Sequence, residues 1–327
     1  MTPSPPGASP GEGRSPIVEC VPNISEGRRP EVIAAIAGAV ARSGRARLID
    51  LSSDPDHNRS VLTIAGPPDG VRAAAEALVA VAVERIDLRR HAGSHPRMGA
   101  VDVIPFVPVR GVAMDDCVRL ARQVGAAIAA RHALPVYLYE AAASAPHRRN
   151  LAEIRRGEFE GFAEKIRDPR WTPDFGPDRV HPSAGCTAVG ARPFLIAFNV
   201  DLRTSDVEIA KAIARVVRES SGGLPCVKAL GLFLEDRGRA QVSMNLTDYR
   251  TTSIPRAFEA VRDEAARRGV EVATSELVGL VPEEAVLQVA AHALRLESLD
   301  PSRILEHRID EALRGDGRPA ADGGDGR

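Results

Sequence analysis

The densest concentration of reactive side chains is the segment HAGSHPRMGAVDV, His91 to Val103. It carries His91, His95, Arg97 and Asp102, interleaved with Gly93, Pro96 and Gly99. Imidazole titrates near neutral pH, so His95 is the natural general acid or base. Pro96 biases the residue before it towards extended backbone, which would give the His95 side chain one direction. Arg97 can grip a carboxylate through two parallel N–H groups. His91 and His95 stand four apart. Gly93 and Pro96 argue against a helix between them, so no metal pair is expected.

Three further stretches hold polar side chains in loops. VPNISEGRR, Val21 to Arg29, offers Asn23, Ser25, Glu26 and Gly27, either as a helix-capping turn or as a polar loop at the same sheet end as His95. DPDHNRS, Asp54 to Ser60, is either a solvated hairpin turn or a way to face Asn58 and Arg59 towards a polar ligand. WTPDFGPDRVHPSAGCTAVGAR, Trp171 to Arg192, holds the only Trp and places Asp178, Arg179, His181 and Ser183 among glycines and prolines. Such a loop is stiff and can present backbone N–H groups; it can equally be a plain linker. No Walker A loop, GxGxxG or GxSxG elbow occurs, which argues against an NTPase, a dehydrogenase or an α/β-hydrolase.

These loops need a scaffold, and the hydrophobic periodicity supplies one. Strands are expected at IVECVPNIS, RARLIDLSS, SVLTIAG and VDVIPFVPV, with helices over Pro30 to Arg42 and Asp69 to Arg85. The order β-α-β-β-α-β is that of a ferredoxin-like split βαβ unit: two helices on one face of an antiparallel sheet. It recurs downstream. There Pro193 to Leu202 is a strand, and Ser205 caps a helix to Arg218 with Glu208 at the capping-box position. Val227 to Asp236 and Ala240 to Asp248 form a hairpin, Ile254 to Arg268 a helix and VEVATSELVGLVP a strand, before a helix over Glu283 to Leu296. Between the repeats lie a helix from Met114 to Arg131, the strand PVYLYE and a long connection from about Ala142 to Ala191. A connection of that length is expected to be a lid or binding loop over a ligand groove between the two units.

Composition agrees with this plan. The chain has 327 residues with 44% hydrophobic and 27% charged side chains, enough for two domains with full cores. A formal net charge of -1 gives no field to gather nucleic acid or an anionic membrane. Only Lys165, Lys211 and Lys228 are lysines, so any anion site must rely on arginine or backbone N–H groups. Cys20, Cys117, Cys186 and Cys226 are too scattered for a metal knuckle and suit free thiols in a reducing cytoplasm. No signal-peptide pattern and no membrane-spanning apolar run occurs. Residues 1–15 and 314–327 are expected to be disordered tails.

Taken together, VECVPNISEG, DPDHNR, HPRMGAVDVIPFVPVRGV, LPVYLYE, the run from RWTPDFGPDRVHPSAG to GARPFLIAFNV, and LVGLVPEEA strongly resemble the glutamate formimidoyltransferase family over roughly residues 17–310. The resemblance implies an N-terminal subdomain over 16–191 and a C-terminal one over 192–313, with folate in the groove between them. It implies a cytoplasmic homodimer and transfer of the formimidoyl group from N-formimidoyl-L-glutamate to N5 of tetrahydrofolate, which is the co-substrate. Neither metal, nucleic acid nor membrane enters the expected activity. The family's catalytic histidine carries over to His95. Its folate loop carries over to Gly176, Pro177, Asp178, Arg179, Val180, His181, Pro182, Ser183, Ala184 and Gly185. This loop departs from the vertebrate type at Asp178, Arg179, His181 and Ala184, and keeps the Gly-Pro start, the Pro-Ser pair and the closing Gly. Asn23, Asn58, Arg59, Arg97 and Arg110 are candidate substrate ligands. In some members a cyclodeaminase domain follows on the same chain; here that step is expected from another protein. Two alternatives stay open: a related transferase using N-formylglutamate, and a non-catalytic tandem module that binds a small molecule.

Overall fold

Alternating burial and helical spacing of apolar residues turn this pattern into a defined topology in a computed structural model, described for residues 15–93, 96–235 and 237–313. The chain divides into two units, Met1–Pro193 and Phe194–Arg327.

In the first unit, β1 (Ile17–Cys20) and β2 (Asn23–Ile24) lead into α1 (Pro30–Arg42). The hairpin of β3 (Arg47–Asp54) and β4 (Arg59–Gly66) follows, and then α2 (Pro68–Arg85). Pro30 and Pro68 each open a helix, where the missing N–H costs nothing. β5 (Val101–Arg110) is buried along its first seven residues, which marks a central strand covered on both faces. After it come α3 (Met114–His132) and β6 (Val136–Glu140). The main core packs α1, α2 and α3 through Ile36, Leu78 and Val124 against Val18, Leu62, Ile64, Ile104 and Phe106.

Two expectations change here. The sheet is not a four-stranded antiparallel one: it has seven strands, in the order β1–β4–β2–β5–β7–β6, with β3 added beside β4. The extra strand β7 (Thr187–Ala191) runs parallel to both β5 and β6. Its sequence TAVGA is buried at every position, so it shows no alternation for a sequence reading to find. The long connection before it is not one loop either. It folds into α4 (Leu151–Arg155) and α5 (Glu158–Lys165), whose Ile154 and Phe162 join Met98, Val103, Tyr137, Tyr139 and Cys186 in a second core. That insertion covers the sheet face opposite the main core.

The second unit contains β8 (Ile196–Leu202), α6 (Val207–Val217), β9 (Val227–Leu234), β10 (Arg239–Leu246), α7 (Ile254–Arg267), β11 (Val272–Val278), α8 (Glu283–Leu294) and α9 (Leu305–Leu313). Its sheet runs β11–β8–β10–β9, and every pairing is antiparallel. Its own core includes Phe198, Val200, Ile213, Val242, Met244 and Val261. Two details differ from the sequence expectation. Asp206, not Ser205, caps α6, accepting from the Glu208 amide at 2.9 Å. α9 was not expected, because its nine residues follow a proline-marked turn and are mostly exposed. No described helix is long and apolar enough to cross a membrane.

Candidate functional site

The loops singled out by their chemistry meet at one end of the first unit's sheet. His95 and Ser94 lie outside the described residues. The stems on either side of them are tightly bound. Upstream, His91 Nε2 donates to the Asn58 carbonyl at 2.9 Å, and Asn58 Nδ2 donates to the Ala92 carbonyl at 3.1 Å. Downstream, Arg97 Nε donates to His91 Nδ1 at 3.1 Å, so His91 is the neutral Nε2–H tautomer. Met98 N donates to Asp102 Oδ1 at 2.9 Å. Burial lowers the His91 pKa, the bond to the Asn58 carbonyl opposes that, and the Arg97 charge lowers it further.

The VPNISEGRR loop docks on the same stems. Ser25 Oγ donates to the Gly99 carbonyl at 2.7 Å, and Ser25 N to Ala100 O at 2.9 Å. Ser60 Oγ donates to the Glu26 carbonyl at 2.5 Å. Glu26 is buried and accepts from the Arg28 and Arg29 amides at 2.9 Å each. Burial raises its pKa, but these amides and the Arg29 guanidinium outweigh that and hold the carboxyl below its ordinary value. Gly27 N donates to Asn58 Oδ1 at 2.9 Å. Asn23 sits on β2 opposite Val61 of β4 and Val103 of β5, with Nδ2 donating to Val21 O at 3.1 Å.

The segment 176–185 is pinned at both ends. At its start, Val136 N donates to Phe175 O at 2.9 Å, and Gly176 adopts φ +87° where a Cβ would lie 2.1 Å from the Leu134 carbonyl. At its end, Gly185 adopts φ +70° with a Cβ position 2.1 Å from the Met98 carbonyl. There the chain pairs with the histidine-bearing segment: Ala100 N donates to Ala184 O and Cys186 N to Met98 O, both at 2.8 Å. His181 Nδ1 accepts from the Ala184 amide at 2.9 Å, closing a tight turn, and burial lowers the His181 pKa. Asp178, Arg179 and Pro182 are exposed between the two anchors. The stretch can therefore offer side chains and backbone groups to a ligand beside Met98–Ala100.

The candidate substrate ligands divide. Arg59 opens β4, is half-buried, and has Arg155, Asp54 and Asp102 as its charged neighbours. Burial lowers its pKa first, with Arg155 adding to that and the two carboxylates opposing it. Arg97 is buried and already engaged: Nη1 donates to Glu160 at 2.8 Å and Glu158 at 3.2 Å, and Nη2 to Glu160 at 2.6 Å. Asn58 is buried with both ends of its amide bonded inside the protein. Arg110 is exposed at the far end of β5, opposite Ile17. A strand rises about 3.3 Å per residue, so the length of β5 separates it from the other candidates. The fold brings Asn23, Asn58, Arg59 and Arg97 to one end and leaves Arg110 out.

Sequence reasoning missed Arg155 and Glu160. Arg155 pairs with Asp102, and Glu160 with Arg97 across 63 residues of chain. Both lie on the short helices of the insertion, and no spacing in the sequence links them to their partners. Among the described residues, no group of three or more His, Cys, Asp or Glu could hold a metal ion.

Comparison with known proteins gives a consistent result. Residues 17–192 match the model of the formiminotransferase domain, N-terminal subdomain, and residues 197–322 that of the formiminotransferase domain. The chain is 48% identical to a glutamate formimidoyltransferase of Thermoplasma acidophilum, over 90% of this chain and 98% of that protein. It is 45% identical to a glutamate formimidoyltransferase of Streptococcus pyogenes with the same coverage of both chains. It is also 45% identical to the formimidoyltransferase-cyclodeaminase of Rattus norvegicus, over 90% of this chain and 55% of that protein.

Proposed function

The chain belongs to the formiminotransferase family, and on that premise we propose that His95 is its acid–base residue and residues 176–185 its folate loop. The reaction is transfer of the formimidoyl group from N-formimidoyl-L-glutamate to N5 of tetrahydrofolate, releasing L-glutamate, in histidine degradation.

The chemistry sets what the residues must do. N5 of tetrahydrofolate attacks the formimidoyl carbon and forms a C–N bond, giving a tetrahedral intermediate. The bond from that carbon to the glutamate nitrogen then breaks. N5 must lose a proton, and the departing nitrogen must gain one. One histidine near neutral pKa does both, which balances the protons without an external acid. His95 has that role in this reading. Holding two substrates together supplies much of the remaining acceleration.

The observation that carries the reading is the pairing of Ala184 and Cys186 with Met98 and Ala100. It joins the end of the 176–185 loop to residues 98–100, a few positions after His95, which supports reading the two as parts of one site. Arg59, with Arg155 and Asp102 as neighbours, is the candidate for a substrate carboxylate; Asn23 is a neutral one. We read the second unit as ferredoxin-like from its strand order β11–β8–β10–β9 with antiparallel pairing throughout. A cytoplasmic homodimer is proposed on the family resemblance, and light scattering that returns the mass of one chain would overturn the dimer.

The purified chain is expected to convert tetrahydrofolate spectrally with N-formimidoyl-L-glutamate and not with N-formylglutamate. His95→Ala should lower turnover by about 10²–10⁴-fold while folate still binds. A loss below about tenfold would remove the general acid–base assignment.

A further inference from the structure

The reaction needs a side chain held in place between two substrates, and the residues on either side of positions 94 and 95 form one hydrogen-bonded circuit. Asn58 is its centre. Its Oδ1 accepts from Gly27 N, its Nδ2 donates to Ala92 O, and its carbonyl accepts from His91 Nε2. His91 Nδ1 in turn accepts from Arg97 Nε. Arg97 is anchored outward on Glu158 and Glu160 of α5, and its carbonyl accepts from Phe159 N at 2.9 Å. Both stems of the segment are thus joined to each other and to the hairpin turn of β3 and β4. Asn58 has φ +49°, a left-handed conformation that asparagine tolerates better than most residues. Asn58 is buried and both ends of its amide bond inside the protein, so its side chain serves the circuit.

We infer that Asn58, acting with His91 and Arg97, is a positioning residue for the transfer step rather than a substrate ligand. It clamps the two stems of the segment that contains His95. The inference rests on the assignment of His95 as the acid–base residue. Near-attack geometry explains why such a clamp matters: a misplacement of about 1 Å can cost about 10²-fold in rate.

Two substitutions separate the amide from the backbone. Asn58→Gly keeps the left-handed conformation and removes both side-chain bonds. Asn58→Asp keeps an acceptor for Gly27 N and loses the donor to Ala92 O. In Asn58→Gly, kcat is expected to fall about 10–100-fold while KM for each substrate changes less than about threefold, with Asn58→Asp in between. In the His95→Ala background the further loss should be below about threefold, because both changes act on one proton transfer. A rise in KM with kcat unchanged, a kcat within about threefold of wild type, or equal losses in both backgrounds would overturn the inference. If Asn58→Gly does not fold, Arg97→Lys decides it by the same split, since lysine keeps the charge facing Glu160 and loses the Nε–H to His91. A near-wild-type His95→Ala removes the underlying assignment. An inactive His95→Ala beside a wild-type Asn58→Gly removes only the clamp.

Discussion

At the scale of single residues, the candidate site contains two histidines, His91 and His181, that burial keeps towards the neutral form. His91 accepts on Nδ1 and donates on Nε2, so protonation would cost the bond from Arg97 and set two cations together. Its facing charges are Arg97 and Arg28, which lower its pKa, and Glu26, which raises it; burial is the largest influence and also lowers it. His181 is shifted the same way by burial, with Nδ1 accepting from Ala184 N. An unfolded histidine titrates near about 6.5, so below that pH the unfolded chain gains protons that the folded one refuses. Stability is therefore complete above about pH 6.5 and falls as the pH drops towards the lower folded values. Thermal midpoints measured from pH 7.5 down to 5 should fall more steeply for the wild type than for His91→Gln. Equal slopes would refute the neutral clamp. Both histidines are therefore expected to contribute to the acid limb of the stability profile. Gly185 gives a sharper residue-level test, because a Cβ there meets the Met98 carbonyl at 2.1 Å in a left-handed backbone. Gly185→Ala should cost about 2 kcal/mol or more of stability and raise KM for tetrahydrofolate; an unchanged melting curve would contradict the docking of the loop.

At the scale of elements, the insertion between β6 and β7 decides how the site is backed. Its helices are short, and α4 spans five residues, too few to stand alone. Lys165 Nζ closes the end of α4 by donating to the carbonyls of Glu153 at 2.6 Å, Ile154 at 2.7 Å and Arg156 at 3.1 Å. It also lies 3.9 Å from the centre of the Trp171 ring, a favourable cation–π contact. Buried Arg148 pairs with half-buried Asp174 at 2.8 Å, and Asp174 also accepts from Leu138 N of β6. These contacts fasten the insertion to the sheet, so that Glu158 and Glu160 can reach Arg97. Lys165→Met should lower stability by about 1–3 kcal/mol and speed hydrogen exchange in residues 151–171, with a smaller effect on kcat than His95→Ala. Unchanged exchange there would show that the lysine does not hold the insertion.

At the scale of the whole molecule, each unit has its own hydrophobic core, one built around β5 and its neighbours and one around β8 and β10. The matched family regions divide at nearly the same place, ending at residue 192 and resuming at 197. Residues 194–313 expressed alone are therefore expected to melt cooperatively by circular dichroism. A gradual, non-cooperative melt would mean that this core needs the rest of the chain. All the groups of the candidate site described above belong to the first unit.

Much of this was legible in the sequence, for reasons that separate local from non-local physics. Helices such as α3 and the hairpin of β9 and β10 show in the linear pattern because period and turn are local properties. The HPRMGA and GARPFLIAFN runs carried the family, because they are long and specific. β7 did not show, since a fully buried strand has no alternation, and α4 and α5 did not, since short helices draw their stability from packing. Nor could any spacing assign Arg97 to Glu160, Asp102 to Arg155, or Asn58 to the clamp rather than the substrate. Those assignments depend on which side chains burial brings together, and burial is decided only when distant segments pack. The sequence alone determined the family and, with it, the reaction. The tertiary structure decided which arginines and amides are already committed to holding the site, because a hydrogen bond used inside the protein is no longer free for a substrate.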